Sequence, residues 1–189
     1  MAIRMRVELV DVYCRDTEDL LVADTFYVMS AAMSCDADKT ALLTDPINIK
    51  AGETISFSGH DLAVFYADVA EDAFVLGGFK AFDEEQGKDW LKKSEWVKQI
   101  VEGLPAFGDL PSLPSEAAQV ILTAAGNVLD EAAHSDRDDT LGEHLLAIPA
   151  TGTSDEEMTW VFKQEGIGLS TWDYTVRYRI MRAEATHAL

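Results

Sequence analysis

The chain has 189 residues, of which 48% are hydrophobic and 26% are charged, proportions that are ordinary for a globular domain. Acidic residues outnumber basic ones 34 to 15, and the formal net charge is −19, which argues against nucleic acid and anionic membranes as partners because both require a cationic face. No apolar run is long enough for a membrane span and no secretory signal is seen at the N-terminus, so a cytoplasmic location is expected.

The first third of the chain is predicted to form β-strands. Apolar residues alternate over 7–14 with one slip at Leu9 and Val10, a pattern that indicates a strand with a β-bulge. An apolar, aromatic run over 24–33 predicts a second strand. Further short strands, separated by turn signals at 51–52 and 58–61, are predicted over 47–50, 54–57, 62–66 and 74–82.

Cys14 and Cys35 are the two cysteines of the chain. If residues 5–14 and 24–33 form a hairpin, the two thiols lie at opposite ends of it and beyond disulfide reach. We therefore expect two buried, reduced thiols that are not bonded to each other.

The apolar period changes to that of a helix after Asp83 and returns to that of a strand after Gly142. One helical face is predicted at Leu91, Val97, Ile100, Val101 and Leu104, and a second helix begins near Ser115, a suitable N-cap. The cleanest strand alternation lies over 172–180. The sequence therefore predicts one mainly-β domain over residues 1–189, an antiparallel β-sandwich with a two-helix insertion around residues 84–134.

Acidic residues are concentrated in two predicted loops, 15–23 and 67–73. When the predicted strands are counted alternately up and down, both loops fall at the same end of the sandwich. Converging carboxylates repel one another unless a hard cation lies between them, and Ca²⁺ takes roughly six to eight oxygen ligands from flexible loops. The acids of these loops and their flanks are Asp16, Glu18, Asp19, Asp24, Asp68, Glu71 and Asp72.

Two stretches within residues 5–82 resemble the C2 domain, a calcium- and lipid-binding β-sandwich. Asp16 precedes Asp24, which leads into a strand with Tyr27 and Val28, as in the first calcium loop of that family. The stretch from Leu62 through Asp68 to Leu76 and Gly77 is similar to the third loop. The resemblance implies a C2-like fold and calcium ligands among Asp16, Asp24, Asp68 and Asp72.

The second stretch departs from the C2 pattern, because Tyr66 and Phe74 stand where the third loop has its first and last acids. Residues 135–142 match the Asp-Asp-x-Leu-Gly ending of that loop better. They supply a competing or adjoining set of calcium ligands, namely Asp136, Asp138 and Asp139. The sequence does not decide which of the two stretches is the metal site.

No motif in the sequence supports catalysis. The four histidines His60, His134, His144 and His187 lack the spacing of a zinc site. The chain has neither a GxSxG nucleophile motif nor a glycine-rich phosphate loop. We therefore expect a non-enzymatic module.

Two functions fit these observations. The first is a calcium-binding C2-like module whose acidic loops bind Ca²⁺ and order a protein-interaction surface; membrane docking is disfavoured because bound calcium would still leave the chain strongly acidic. The alternative is a metal-independent acidic interaction protein, inhibitor-like or immunity-like, that binds a basic protein partner. Residues 99–162 contain twelve acidic residues and a single basic one, Arg137, which concentrates the negative charge there.

Overall fold

Ten β-strands and two α-helices make up the part of the chain that the computed structural model describes, residues 1–17, 23–57, 62–84, 90–133, 139–165 and 171–185. The strands are β1 (Ala2–Asp16), β2 (Asp24–Ser34), β3 (Ala37–Leu43), β4 (Ile47–Ile49), β5 (Thr54–Ser56), β6 (Ala63–Ala70), β7 (Phe74–Asp83), β8 (Asp139–Pro149), β9 (Asp155–Gln164) and β10 (Trp172–Glu184). The helices are α1 (Lys93–Gly103) and α2 (Pro114–Ala133), with short 3-10 turns at Trp90–Lys92 and Phe107–Asp109.

The strands form two antiparallel sheets, each with five strands in four positions. Sheet A has the order β5–β1–β10–β9, and β6 pairs with the other half of β1 on the same side as β5. Sheet B has the order β3–β2–β7–β8, and β4 continues the edge that β3 begins. The predicted antiparallel sandwich is confirmed, and α1 and α2 lie within the predicted insertion, between β7 and β8.

The predicted hairpin of residues 5–14 and 24–33 is wrong, because β1 belongs to sheet A and β2 to sheet B. The alternation identified both strands correctly but carried no information on which strands pair. Cys14 and Cys35 both carry free thiols. Cys14 is buried as expected, whereas Cys35 is exposed in the turn after β2, which corrects the expectation that both thiols are buried.

Two hydrophobic cores lie on the two sides of sheet B. The larger core fills the space between the sheets, where Phe79 of β7 packs beside Trp160 and Tyr178 from sheet A. The second core lies between sheet B and the helices and contains Tyr27, Ile100 and Ile121. The molecule is therefore layered as helices, sheet B and sheet A, and the outer face of sheet A has no helix against it among the described residues.

Two consecutive glycines allow the central strands of sheet B to approach one another closely. Gly77 has a φ of +152°, and a Cβ at this position would lie 2.0 Å from the carbonyl oxygen of Ala31. A Cβ on Gly78 would lie 2.4 Å from the carbonyl oxygen of His144. Larger residues would therefore push β2 and β8 away from β7. In the described part of the chain, no helix combines the length and the hydropathy that crossing a membrane requires.

Candidate functional site

Five strands bring aspartates to one end of the sandwich, which we call the acidic end. Asp16 ends β1 and lies opposite Asp173 of β10. In sheet B, Asp83 ends β7 and lies opposite Asp139, the first residue of β8. Asp24, the first residue of β2, lies at the same end because β2 runs antiparallel to β7. Like charges directly opposite one another across a strand pair are destabilising, so the acidic end repels itself.

The structure places Asp68 and Asp72 at the opposite end of the sandwich. Asp68 lies beside Arg4 near the start of β1, and β6 ends there before the turn that contains Asp72. At the rise of an extended strand, Arg4 and Asp16 are separated by about 40 Å. The predicted grouping of Asp68 and Asp72 with Asp16 and Asp24 is therefore wrong.

The error comes from the direction of β6. The prediction reversed the chain between residues 54–57 and 62–66, but β5 and β6 both run antiparallel to β1 and therefore run in the same direction. Because the chain reverses its direction once less than predicted, the loop that follows β6 lies at the opposite end of the sandwich. The same register brings Asp139 to the acidic end with Asp16 and Asp24.

Asp24 makes a buried link between the two sheets. Its carboxylate is about 1% exposed and accepts a hydrogen bond from the hydroxyl of Tyr174 in sheet A. Burial, followed by the contact with Asp24, raises the pKa of Tyr174, while burial raises the pKa of the neighbouring Cys14 thiol to about 11. The hydroxyl and the thiol therefore keep their protons at neutral pH, and Asp24 has a structural partner inside the sandwich.

The remaining acids of this end differ in their surroundings. Asp83 is buried and accepts a hydrogen bond of 2.7 Å from the backbone amide of Thr25, whereas Asp139 is exposed. Asp136 and Asp138 lie outside the described residues. Asp83 and Asp173 are not among the predicted site residues, because each belongs to a strand and only the strand register brings it beside another acid.

The described carboxylates do not by themselves form a calcium site. Ca²⁺ requires roughly six to eight oxygen ligands at about 2.3–2.6 Å. Within the described ranges, no three His, Cys, Asp or Glu side chains are grouped so that they could hold a metal ion. The carboxylates of Asp24 and Asp83 also have protein donors already. A calcium ion at this end would need further oxygen ligands from residues outside the described ranges.

A cleft of about 460 Å³ opens beside Asp16 between the ends of β1, β9 and β10. Charges of both signs line it, and they neutralise one another: Arg15 lies 3.5 Å from the carboxylate of Asp173, and Lys163 forms an ion pair with Glu165. The cleft therefore does not present one dominant charge to a ligand.

The cations on the outer face of sheet A are likewise paired with acids of the same sheet. Arg4 binds Asp68 through two hydrogen bonds of 2.7 and 2.9 Å. Arg177 binds both Asp11 and Glu157. Further pairs on this face are Arg6 with Glu8 and Arg179 with Asp155. This face therefore offers little net positive charge to an anionic ligand.

Several acids of the helical layer, unlike those on the outer face of sheet A, are not paired with a basic residue in the described part of the chain. Asp109, Glu116, Asp130 and Glu131 make no ion pair with any residue that the structure describes. Asp130 and Glu131 lie in the last turn of α2, which contains no basic residue. Negative charge is unfavourable there because it faces the negative end of the helix dipole.

The last turn of α2 lies toward the acidic end. A Cβ on Gly78 would contact Leu122, and a Cβ on Gly126 would contact Lys80, so α2 runs in the same direction as β7. Since β7 ends at Asp83, the C-terminus of α2 extends the acidic surface of this end. The strand ends and the last turn of α2 therefore both carry negative charge toward the same end of the molecule.

Comparisons with known proteins concern the fold. No family model matches the chain, and no curated protein matches it. Similar solved structures include the C2A domain of plant extended synaptotagmin 1 (12% identity, 98% of this chain and 97% of that chain, TM-score 0.43) and a structure of a C2 domain (13% identity, 96% and 98%, TM-score 0.41). Human group IVD cytosolic phospholipase A2 is also similar (10% identity, TM-score 0.44), with 98% of this chain matching 17% of the phospholipase chain.

Proposed function

We propose that this chain is a non-catalytic interaction module with a C2-like fold, and that it binds a basic protein partner through its acidic end and α2. The observation that carries the proposal is the segregation of unpaired charge. The arginines of sheet A are neutralised by acids of the same sheet, whereas Asp109, Glu116, Asp130 and Glu131 have no ion-pair partner among the described residues. Complementary charge speeds association and selects partners.

The acidic end also gains stability when a cationic side chain approaches it. In the unbound protein, Asp130 and Glu131 lie at the negative end of α2, and Asp83 lies opposite Asp139. A lysine or arginine placed between these groups would offset both repulsions. Binding would therefore be strong at low ionic strength and would weaken as salt screens the charges.

The test compares two variants that change the net charge equally. The first neutralises α2 with Asp130→Asn and Glu131→Gln, and the control neutralises two paired acids of sheet A with Asp68→Asn and Asp155→Asn. The probe is a fluorescent oligolysine peptide, followed by anisotropy at low and at physiological salt. We expect the α2 variant to weaken binding several-fold more than the control; equal weakening would mean that only the total charge matters and would contradict the proposed surface.

A second candidate function is calcium binding at the acidic end. The observation that favours it is that two like-charged pairs, Asp16 with Asp173 and Asp83 with Asp139, occur at the same end of the two sheets. Because the described carboxylates do not hold the ion by themselves, this candidate needs further ligands, and we propose Asp136 and Asp138 beside Asp139. Bound calcium would supply positive charge at this end and order a surface for a protein partner.

Thermal melting of the chelator-treated protein tests this second function. Binding to the folded state alone raises the melting temperature, and a hundredfold excess of ligand over the dissociation constant stabilises by about 2.7 kcal/mol. We expect Mg²⁺ to stabilise less than Ca²⁺, because it keeps its bound waters. Asp139→Asn should remove the calcium shift, while Asp68→Asn at the opposite end should leave it. An unchanged melting curve with Ca²⁺ would contradict calcium binding and would not affect the proposal that the chain binds a basic protein partner.

A further inference from the structure

The edges of the two sheets differ in how well they are protected against another strand. The β3–β4 edge is interrupted between Leu43 and Ile47, and the β5–β6 edge is interrupted between Ser56 and Ala63. The β8 edge has an irregular register beside Leu141 and ends at Pro149. Interruptions, bulges and prolines are the usual means by which an edge avoids pairing with another chain.

Strand β9 lacks these protections. It pairs with β10 residue for residue over all ten of its positions, without a bulge, and contains no proline. No other described strand pairs with its second edge. Val161 is 60% exposed and Met158 is 38% exposed, so apolar side chains accompany the open backbone groups. A long, regular edge of this kind can accept another strand.

We propose that β9 is a self-association edge, through which two copies of this chain pair antiparallel and extend sheet A across a two-fold axis. The argument rests on charge complementarity within the strand. When Trp160 lies opposite Trp160 of the second copy, Glu157 lies opposite Lys163, and Val161 lies opposite Thr159. The like-charged residues Asp155 and Glu165 also face each other, but Glu165 lies beyond the end of β9. The two-fold axis forms the Glu157–Lys163 pair and the Val161–Thr159 pair twice each.

The charges favour this register over one of its two neighbours and keep an acidic partner for Lys163 in the other. Side chains of the same parity share one face, so Glu157, Thr159, Val161 and Lys163 all project from the outer face of sheet A, while Trp160 is buried in the core. A slip of two residues in one direction places Glu157 opposite Glu165, which is repulsive. A slip in the other direction places Glu157 opposite Val161 and brings Asp155 opposite Lys163. A slip of one residue would place the outer-face side chains of one copy beside the core-face side chains of the other.

The residues of the proposed pairs can change partners at little cost. Glu157 is bound to Arg177 at 2.8 Å, and Lys163 is bound to Glu165. All four side chains are between 42% and 79% exposed, and exposed ion pairs contribute little to stability. The existing intrachain pairs therefore do not prevent the pairs between copies.

The experiment measures the oligomeric state of the full chain by sedimentation velocity over a concentration series. We expect the wild type to form a dimer. Glu157→Lys alone and Lys163→Glu alone should each raise the dimer dissociation constant on the order of tenfold or more, since each replaces two attractive pairs with two repulsive ones. The double variant should restore the dimer, because the opposite charges then face each other again.

A matched pair of variants separates the edge from the general surface. Val161→Lys places a charge at the centre of the edge and should weaken the dimer, whereas Val120→Lys, at an exposed position of α2, should leave it unchanged. Circular dichroism establishes that each variant is folded. A wild type that stays monomeric throughout the series, a dimer that survives Val161→Lys, or a double charge reversal that fails to restore the dimer would each overturn the proposal.

Discussion

The two sheets of this sandwich differ in what their outer faces contact. In sheet A, β10 alternates strictly between buried and partly exposed positions over residues 172–181. In sheet B, β2 is buried at ten of its eleven positions. The second face of sheet B is therefore covered by α1 and α2, while the second face of sheet A carries paired charges.

This difference shows that the helices are part of the folded core. Tyr27, Leu76 and Phe82 project from sheet B into the second core, where they pack with Ile100 and Ile121 of the helices. Without the helices, these side chains would form a large apolar surface in water. The outer face of sheet A needs no such cover, because its arginines and acids neutralise one another. Substitutions should therefore be costly on one side of the molecule and nearly neutral on the other.

The largest effect is expected where α2 meets sheet B. Ile121→Ala should lower the free energy of unfolding by about 2–5 kcal/mol, because it removes a fully buried side chain and leaves a cavity. The matched control is Val120→Ala, one position along the same helix but exposed, which should change stability by less than about 0.5 kcal/mol. Urea unfolding measures both. Equal effects would contradict the second core.

The next largest effect is expected at the link between the two sheets. Tyr174→Phe removes a hydroxyl that donates to the buried carboxylate of Asp24, and the loss should cost about 1–3 kcal/mol. Tyr66→Phe, which deletes the same hydroxyl from a half-exposed side chain of β6, is the control and should be nearly silent. Urea unfolding measures both variants. If both have the same urea midpoint as the wild type, the hydrogen bond between Tyr174 and Asp24 does not contribute to stability.

A pH effect of intermediate size is expected from His144, which packs against aromatic residues of the core between the two sheets. Burial lowers the pKa of His144 below its ordinary value of 6.5, so the unfolded chain binds this proton more readily than the folded chain does. The stability that neutral His144 contributes is therefore present above pH 6.5 and is lost as the pH falls below it. The slope is at most about 1.4 kcal/mol per pH unit.

The measurement is urea unfolding of the wild type and of His144→Gln between neutral and mildly acidic pH. The difference in unfolding free energy between the two proteins should shrink as the pH falls, because glutamine does not titrate. His144 packs beside both Phe79 and Trp160 and contacts the hydroxyl of Tyr178 at 3.0 Å, so the absolute stability of the variant is also expected to fall. If the difference in unfolding free energy between the two proteins did not change with pH, the lowered pKa of folded His144 would be refuted.

The contrast between the sheets was visible in the sequence, but its consequences for the site were not. Strict alternation in β10 predicted a half-buried strand, and the change of period after Asp83 predicted the helical insertion. The alternation of apolar and polar residues indicates which face of a strand is buried, but it does not indicate which other strand pairs with it. The hairpin of β1 and β2 was predicted wrongly for this reason, although both strands were identified.

The acidic end depends on information that only the strand register contains. The prediction ended a strand at Tyr66, whereas β6 continues through Asp68 to Ala70 and pairs with the start of β1. Residues 37–43, which form β3, were not predicted as a strand at all. Asp83 and Asp173 acquire acidic neighbours only through pairing across strands, so a reading of loops alone could not find them.

The smallest effect is expected on the outer face of sheet A. Arg4 and Asp68 make two hydrogen bonds, but both side chains are 42% exposed. A double-mutant cycle with Arg4→Ala and Asp68→Ala should therefore give a coupling energy of only about 0.2–1 kcal/mol. High salt should reduce it further, because the Debye length falls to about 3 Å at 1 M ionic strength. A coupling that is large and insensitive to salt would mean that the paired charges hold sheet A together as firmly as the helices hold sheet B, and the two faces would then not differ in the way proposed.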